Sequence, residues 1–127
     1  MKLTAHNASS APQPTGGYAQ IVEVSAATRF AYVSGQVPAT RDGALPESFA
    51  DQSRLIWKNI EAQLAEVGMT LDNLVKVTTF LSDRKYNLEN RAIRNEIMGD
   101  RTPAITVIIC GIFEEAWLLE IEVVAAA

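Results

Sequence analysis

Two helical stripes have to cover more strand surface than they can reach, and that mismatch constrains the fold of this chain more than any other feature. Leu74 to Leu81 alternates, with Val75, Val77, Thr79 and Leu81 on one face and Lys76, Thr78 and Phe80 on the other. In Ala104 to Cys110 the side chains of Ile105, Val107 and Ile109 point one way, and those of Thr106 and Ile108 the other. In Trp117 to Ala125, Trp117, Leu119, Ile121 and Val123 oppose Leu118, Glu120, Glu122 and Val124. Helical period occurs only twice. Leu55 or Ile56, Ile60, Leu64 and Val67 form one stripe from about Ser48 and stop at Gly68, a left-handed cap. Tyr86, Asn90, Ile93 and Ile97 form the other, with Ser82 or Asp83 as its N-cap and Gly99 and Pro103 at its end. Two helices cover one face of a sheet. The apolar remainder predicts self-association, as a ring of a few subunits rather than a monomer.

Tyr18 to Val24 and Phe30 to Val37 alternate and are rich in β-branched or aromatic residues, so with Ala26-Ala27-Thr28-Arg29 between them they predict an antiparallel hairpin. Residues 1–17 carry a small, polar, breaker-rich run from Asn7 to Gly17 and predict an irregular leader over the surface. The order is then ββαβαββ, an α+β fold with two helices on one face of a mixed sheet. A length of 127 residues fits one domain spanning the whole chain.

Eleven Lys and Arg against fifteen Asp and Glu give a net charge of -4, so no broad field attracts nucleic acid or anionic lipid. No apolar run approaches the roughly 18 residues that a membrane-spanning helix needs. Cys110 is the single cysteine, which excludes an internal disulfide, and no spaced set of ligands predicts a metal. These features predict a cytoplasmic setting. Glu120 and Glu122 share a strand face and could divide acid and base roles, but on spacing alone a hydrogen-bonded or exposed place at an edge or subunit boundary is the favoured reading, and Glu122 is expected to be structural. His6, in the leader without a partner, and Trp57 and Trp117, which read as packing residues, carry no chemistry by themselves.

Several motifs in fixed order go further. Gly16-Gly17-Tyr18-Ala19-Gln20, Ser34-Gly35-Gln36-Val37-Pro38, Gln52-Ser53-Arg54 with Asn59-Ile60, Leu71 to Leu81, Asn90, Pro103-Ala104 and Glu120-Ile121-Glu122 together resemble the Rid/YjgF family of reactive intermediate deaminases, also called the endoribonuclease L-PSP family. The resemblance implies a chorismate-mutase-like fold and a homotrimer with ligand clefts between subunits. It also implies cofactor-independent hydrolysis of 2-imino or 2-enamino acids to 2-keto acids and ammonia. Carried over by position, Tyr18 would line the cleft, the backbone at Gly35 would approach the ligand, Asn90 would hydrogen-bond in the pocket, Val107 would act through its main chain, and Glu120 would hold the attacking water.

One departure bears directly on function. Where deaminases of the family carry an arginine that grips the substrate carboxylate, this chain has Ile105 in Pro103-Ala104-Ile105-Thr106, so the anion clamp expected there is absent and the substrate range is expected to differ. Arg101 lies nearby but before Pro103, outside the strand. Two functional classes therefore stand side by side: a hydrolase or deaminase of small imines or enamines, and a non-catalytic trimer that binds a small molecule or regulates. A ribonuclease or translation inhibitor, a third reading, lacks a basic stripe or a His pair to support it.

Overall fold

The structure, a computed structural model, describes residues 1–127. Its elements in chain order are β1 (Lys2–His6), β2 (Ile21–Ser25), β3 (Phe30–Gln36), α1 (Phe49–Glu66), β4 (Leu74–Leu81), α2 (Asn87–Met98), β5 (Ala104–Ile109) and β6 (Leu119–Ala126). β3, β6, β4 and β5 form one sheet in that order; β5 runs parallel to β4, and β6 lies antiparallel to both of its neighbours. Two helices on a mixed sheet is the expected α+β class.

Local chemistry explains both helices. Ser48 Oγ accepts the Asp51 N–H at 3.1 Å and opens α1, which buries Phe49, Ile56, Trp57, Ile60 and Leu64 against the sheet. Asp83 does act as a cap, but of a short 3₁₀ turn, Arg84–Tyr86; α2 begins after it, at Asn87. Tyr86 stacks on Phe49 with ring centroids 4.6 Å apart, which ties this turn to the start of α1. Into the core the sheet sends Val77, Thr79 and Leu81 from β4 and Leu119, Ile121, Val123 and Ala125 from β6. A register shift between Leu74 and Lys76 turns Leu74 inward in place of Val75.

The N-terminal quarter departs from expectation. The leader is not irregular throughout: Lys2–His6 pairs antiparallel with Ile21–Ser25 along its full length, adding a strand to the order. Lys2-Leu3-Thr4-Ala5-His6 alternates, and Leu3, Ala5 and Val22 turn toward Leu71, Leu74 and Pro103. His6 has a partner after all, with Nε2 3.0 Å from Glu23 Oε2 across the ribbon. The expected β2–β3 hairpin is consequently not formed. β2 is taken by β1, and β3 pairs instead with β6, closed by the Ala127 N–H donating to the Arg29 carbonyl at 3.0 Å. The four-residue link has no Asn-Gly or similar turn to enforce a hairpin, so the longer pairing prevails.

Ile105 and Val107 pack against the core, on the helix side with Ile109, in register with Val77, Thr79 and Leu81. The side without helices carries Tyr32, Phe80, Ile108, Glu120 and Val124 instead. Tyr32 is 80% exposed and Phe30, at the end of the same strand, 56%. No helix is long and apolar enough to cross a membrane.

Candidate functional site

Five of the six residues picked out from the sequence fall into two groups on opposite sides of the sheet, and the sixth, Asn90, is buried in α2 without lining either hollow. Gly35 and Glu120 form the first. A register shift between Val33 and Gln36 bulges β3 at Ser34-Gly35, opposite β6. The Glu120 side chain lies across this point so closely that a Cβ on residue 35 would stand 2.0 Å from Glu120 Oε2 and 2.7 Å from its Cδ. Glycine leaves the carboxylate the space that a side chain at this position would take, so any larger residue would have to displace the Glu120 side chain. Glu120 takes part in no ion pair and shares a hollow of about 250 Å³ with Phe80, Cys110 and Phe113. An unpaired carboxylate in such a place can orient water and accept a proton from it.

Two amides, one buried and one half-buried, brace this arrangement. Gln52, 1% exposed, donates through Nε2 to the Pro46 and Ala116 carbonyls, both at 2.9 Å, and accepts the Leu118 N–H at 2.8 Å. It fixes the approach to β6 two residues before Glu120. Asn59 Nδ2 donates to the carbonyls of Val37 and Ala39 at 3.2 and 3.0 Å, which fixes the exit from β3 beyond Gly35.

Tyr18, Ile105 and Val107 form the second group, around a pocket of about 270 Å³ between α2, β5 and the segment leading into β2. Thr15, Tyr18 and Gln20 supply one wall, Ile105 and Val107 an apolar one, and Asn87, Arg91 and Arg94 from α2 the third. The leading segment is held on both sides. The Ala19 N–H donates to the Pro103 carbonyl at 3.2 Å, making a parallel bridge at Ala104, and Gly17, with φ +76, lies so near α2 that a Cβ there would meet Asn95 Oδ1 at 2.2 Å. Asn90 is 2% exposed, in the adjacent stripe of α2, and its Nδ2 finds no acceptor in the chain.

Arg94 was not among the residues picked out from the sequence. It is 5% exposed, and its Nε has no acceptor in the chain. Burial pulls the guanidinium below its ordinary pKa, Arg91 pulls it further down, and Tyr18 partly offsets both. The readable signal was the spacing Asn87, Arg91, Arg94, which places three polar side chains along one face of a helix. Arg101, by contrast, is engaged elsewhere: its Nε donates to Asp72 Oδ1 at 2.7 Å and its Nη1 to the Met98 carbonyl at 3.2 Å. Nowhere do three or more His, Cys, Asp or Glu side chains gather as a metal-holding group.

The largest concavity, about 860 Å³, runs along the free edge of β3 and the end of α1, past Tyr32, Gln63 and Met69. It is an open groove that reaches Ser34 and Gln36 on either side of Gly35, and Glu120 is not among the residues that line it.

Comparison with known proteins agrees with this architecture. A RutC family protein of Aquifex aeolicus is 34% identical over 114 residues, covering 89% of each chain. The yeast mitochondrial protein MMF1 is 32% identical over 124 residues, 97% of this chain and 83% of that one. The crystal structure of yeast Mmf1 superposes with a TM-score of 0.74 at 30% identity over 98% of both chains. YyfB of Yersinia pestis, from the conserved Rid protein family, superposes with a TM-score of 0.86 over the full length of both; at 20% identity that likeness establishes the fold. The sequence profile of the family described as endoribonuclease L-PSP matches residues 8–127, and the chain belongs to that family, the Rid/YjgF family.

Proposed function

We propose that this protein is a cofactor-independent hydrolase of small reactive imines or enamines, working in a cytoplasmic setting as a homotrimer with its reactive clefts between subunits. The observation that carries the reading is the Glu120 carboxylate, unpaired and laid over Gly35. An iminium carbon is already electrophilic, so catalysis needs little beyond an oriented water and a place for its proton. Water oxygen attacks the C=N carbon, the C=N electron pair moves to nitrogen, and Glu120 takes a proton from the water. The protonated Glu120 then delivers that proton to the nitrogen of the carbinolamine. The C–N bond breaks as the C=O forms, and the hydroxyl proton passes through Glu120 to the departing ammonia, which leaves as ammonium with Glu120 again a carboxylate.

Gly35 and Glu120 lie on the side of the sheet away from Tyr18, Ile105 and Val107, so the two groups cannot close on one small molecule within a single chain. We infer that a neighbouring copy, docked against the exposed face of Phe30, Tyr32 and Ile108, supplies the α2–β5 pocket that the Glu120 of this subunit serves. Tyr18, Asn90 and the main chain at Val107 then hold the substrate.

The test is ammonia release from 2-iminobutyrate and 2-aminoacrylate generated in situ by a pyridoxal-phosphate dehydratase. The wild type should accelerate release over buffer, and Glu120→Gln should lower kcat by about 100-fold or more without changing affinity for 2-oxobutyrate. A wild type that binds 2-oxobutyrate but leaves the rate of release unchanged would make the protein a binding trimer instead.

A further inference from the structure

A buried guanidinium without a carboxylate is costly, and its surroundings say what kind of group would relieve it. Arg54 pairs with Glu96 and Arg101 with Asp72, but no acidic side chain lines the pocket that holds Arg94 and Arg91. The nearest polar contact of Arg94 is a long one, Nη2 donating to Asn95 Oδ1 at 3.4 Å. Its Nε is sealed from solvent and has no acceptor. Desolvating a charge and withholding its hydrogen bonds destabilises a fold unless an anion arrives. Two cations side by side sharpen the demand, and burial and Arg91 together pull the Arg94 pKa down.

The anion can be described further. A planar guanidinium matches the two oxygens of a carboxylate. Ile105 and Val107 form the facing wall, so a ligand that fills the pocket needs a short hydrocarbon part beside its charge. Bare phosphate could also meet the guanidinium, but it has no apolar part to set against that wall. Tyr18, Gln20 and Asn87 stand around the rim with groups that hydrogen-bond to an oxo or imino function.

We propose that Arg94, supported by Arg91, is the carboxylate clamp of this protein, gripping a short-chain 2-oxo or 2-imino acid from α2 in the pocket walled by Ile105 and Val107. The proposal deepens the hydrolase reading and rests on it for the identity of the acid, but the binding itself does not require turnover. The charge that Ile105 does not supply from the strand comes instead from the helix that packs across it.

Calorimetric titration with 2-oxobutyrate and with its neutral amide is the test. The wild type should bind the acid and discriminate against the amide by roughly 10- to 100-fold, the worth of a charge-assisted hydrogen-bonding pair. Arg94→Gln should abolish that discrimination, while Arg94→Lys, which keeps the charge and loses the fork, should retain part of it. Thermal unfolding without ligand should rise in Arg94→Gln, because an unpaired buried charge has been removed, whereas a merely structural arginine would lower it. Equal binding of acid and amide by the wild type would overturn the proposal, and this arm needs no variant to fold. Unchanged affinity in a folded Arg94→Gln would overturn it as well. If Arg94→Gln loses binding while the wild type releases no ammonia, the clamp stands and the hydrolase reading falls; normal turnover of imino acids by Arg94→Gln would overturn the clamp and leave the hydrolase reading in place.

Discussion

Replacing Gln52 with leucine removes three hydrogen bonds at once while nearly conserving volume, which isolates what the buried amide contributes. The side chain is 1% exposed and links α1 to the Pro46 and Ala116 carbonyls and to the Leu118 N–H at 2.8 to 2.9 Å. A protein hydrogen bond is worth about 1 kcal/mol net, so the three amount to about 3 kcal/mol. Two considerations adjust that figure in opposite directions. Ala116 is exposed, so its carbonyl regains a bond from water, whereas the Leu118 N–H sits at the half-buried entry to β6 and would be left without an acceptor. Gln52→Leu should therefore lower unfolding stability by about 2–4 kcal/mol, or the midpoint temperature by about 10 °C for a chain of this size. Urea unfolding at fixed protein concentration, monitored by tryptophan fluorescence, reads this directly, with the slope unchanged if the denatured state is unaffected. A loss below about 0.5 kcal/mol, the level of an ordinary surface substitution, would refute the idea that this amide fixes the approach to β6.

Gly35→Ala should push the Glu120 carboxylate aside by more than 1 Å and cut turnover by about 100-fold, with folding little changed; a crystal structure with Glu120 unmoved would contradict the close approach. Tyr32→Asp, on the open side, should dissociate the assembly in light scattering and leave a folded subunit. Ile109→Asp, in register with Leu81 on the helix side, should lower the unfolding midpoint instead. Ile105→Arg should crowd a third guanidinium against Arg91 and Arg94 and lower the midpoint in thermal unfolding without improving 2-oxobutyrate affinity in calorimetry.

What the sequence disclosed was local. The Ser48 cap, the period of α1 and the facing of β5 and β6 each follow from residues within a few positions of one another, and each is found in the structure. Long-range competition escaped it. β2 had two eligible partners, and nothing near Ala26 to Arg29 indicates that five residues at the start of the chain would win it from β3. The bulge at Val75 is equally invisible, because an alternating pattern reads identically with Val75 or Leu74 inward until β6 fixes the register. The same limit applied to the site. Tyr18, Gly35, Asn90, Ile105, Val107 and Glu120 could be picked out by motif, but their division between two sides of the sheet depends on the packing of α2 and the strap before β2. Arg94 reads as one more charge on a helix until Gly17 and Tyr18 close over that helix and bury it.

Mixing two inactive proteins tests most directly whether the site is completed by a second copy. Glu120→Gln subunits keep the α2–β5 pocket and Arg94→Gln subunits keep the carboxylate over Gly35, so neither alone assembles a whole cleft. Unfolded together at equal amounts and refolded as mixed rings, they should recover roughly a quarter of the wild-type rate of ammonia release, because that fraction of random neighbours presents both intact halves to one cleft. No recovery from fully mixed, correctly assembled rings would contradict a cleft shared between subunits and place all the chemistry within a single chain.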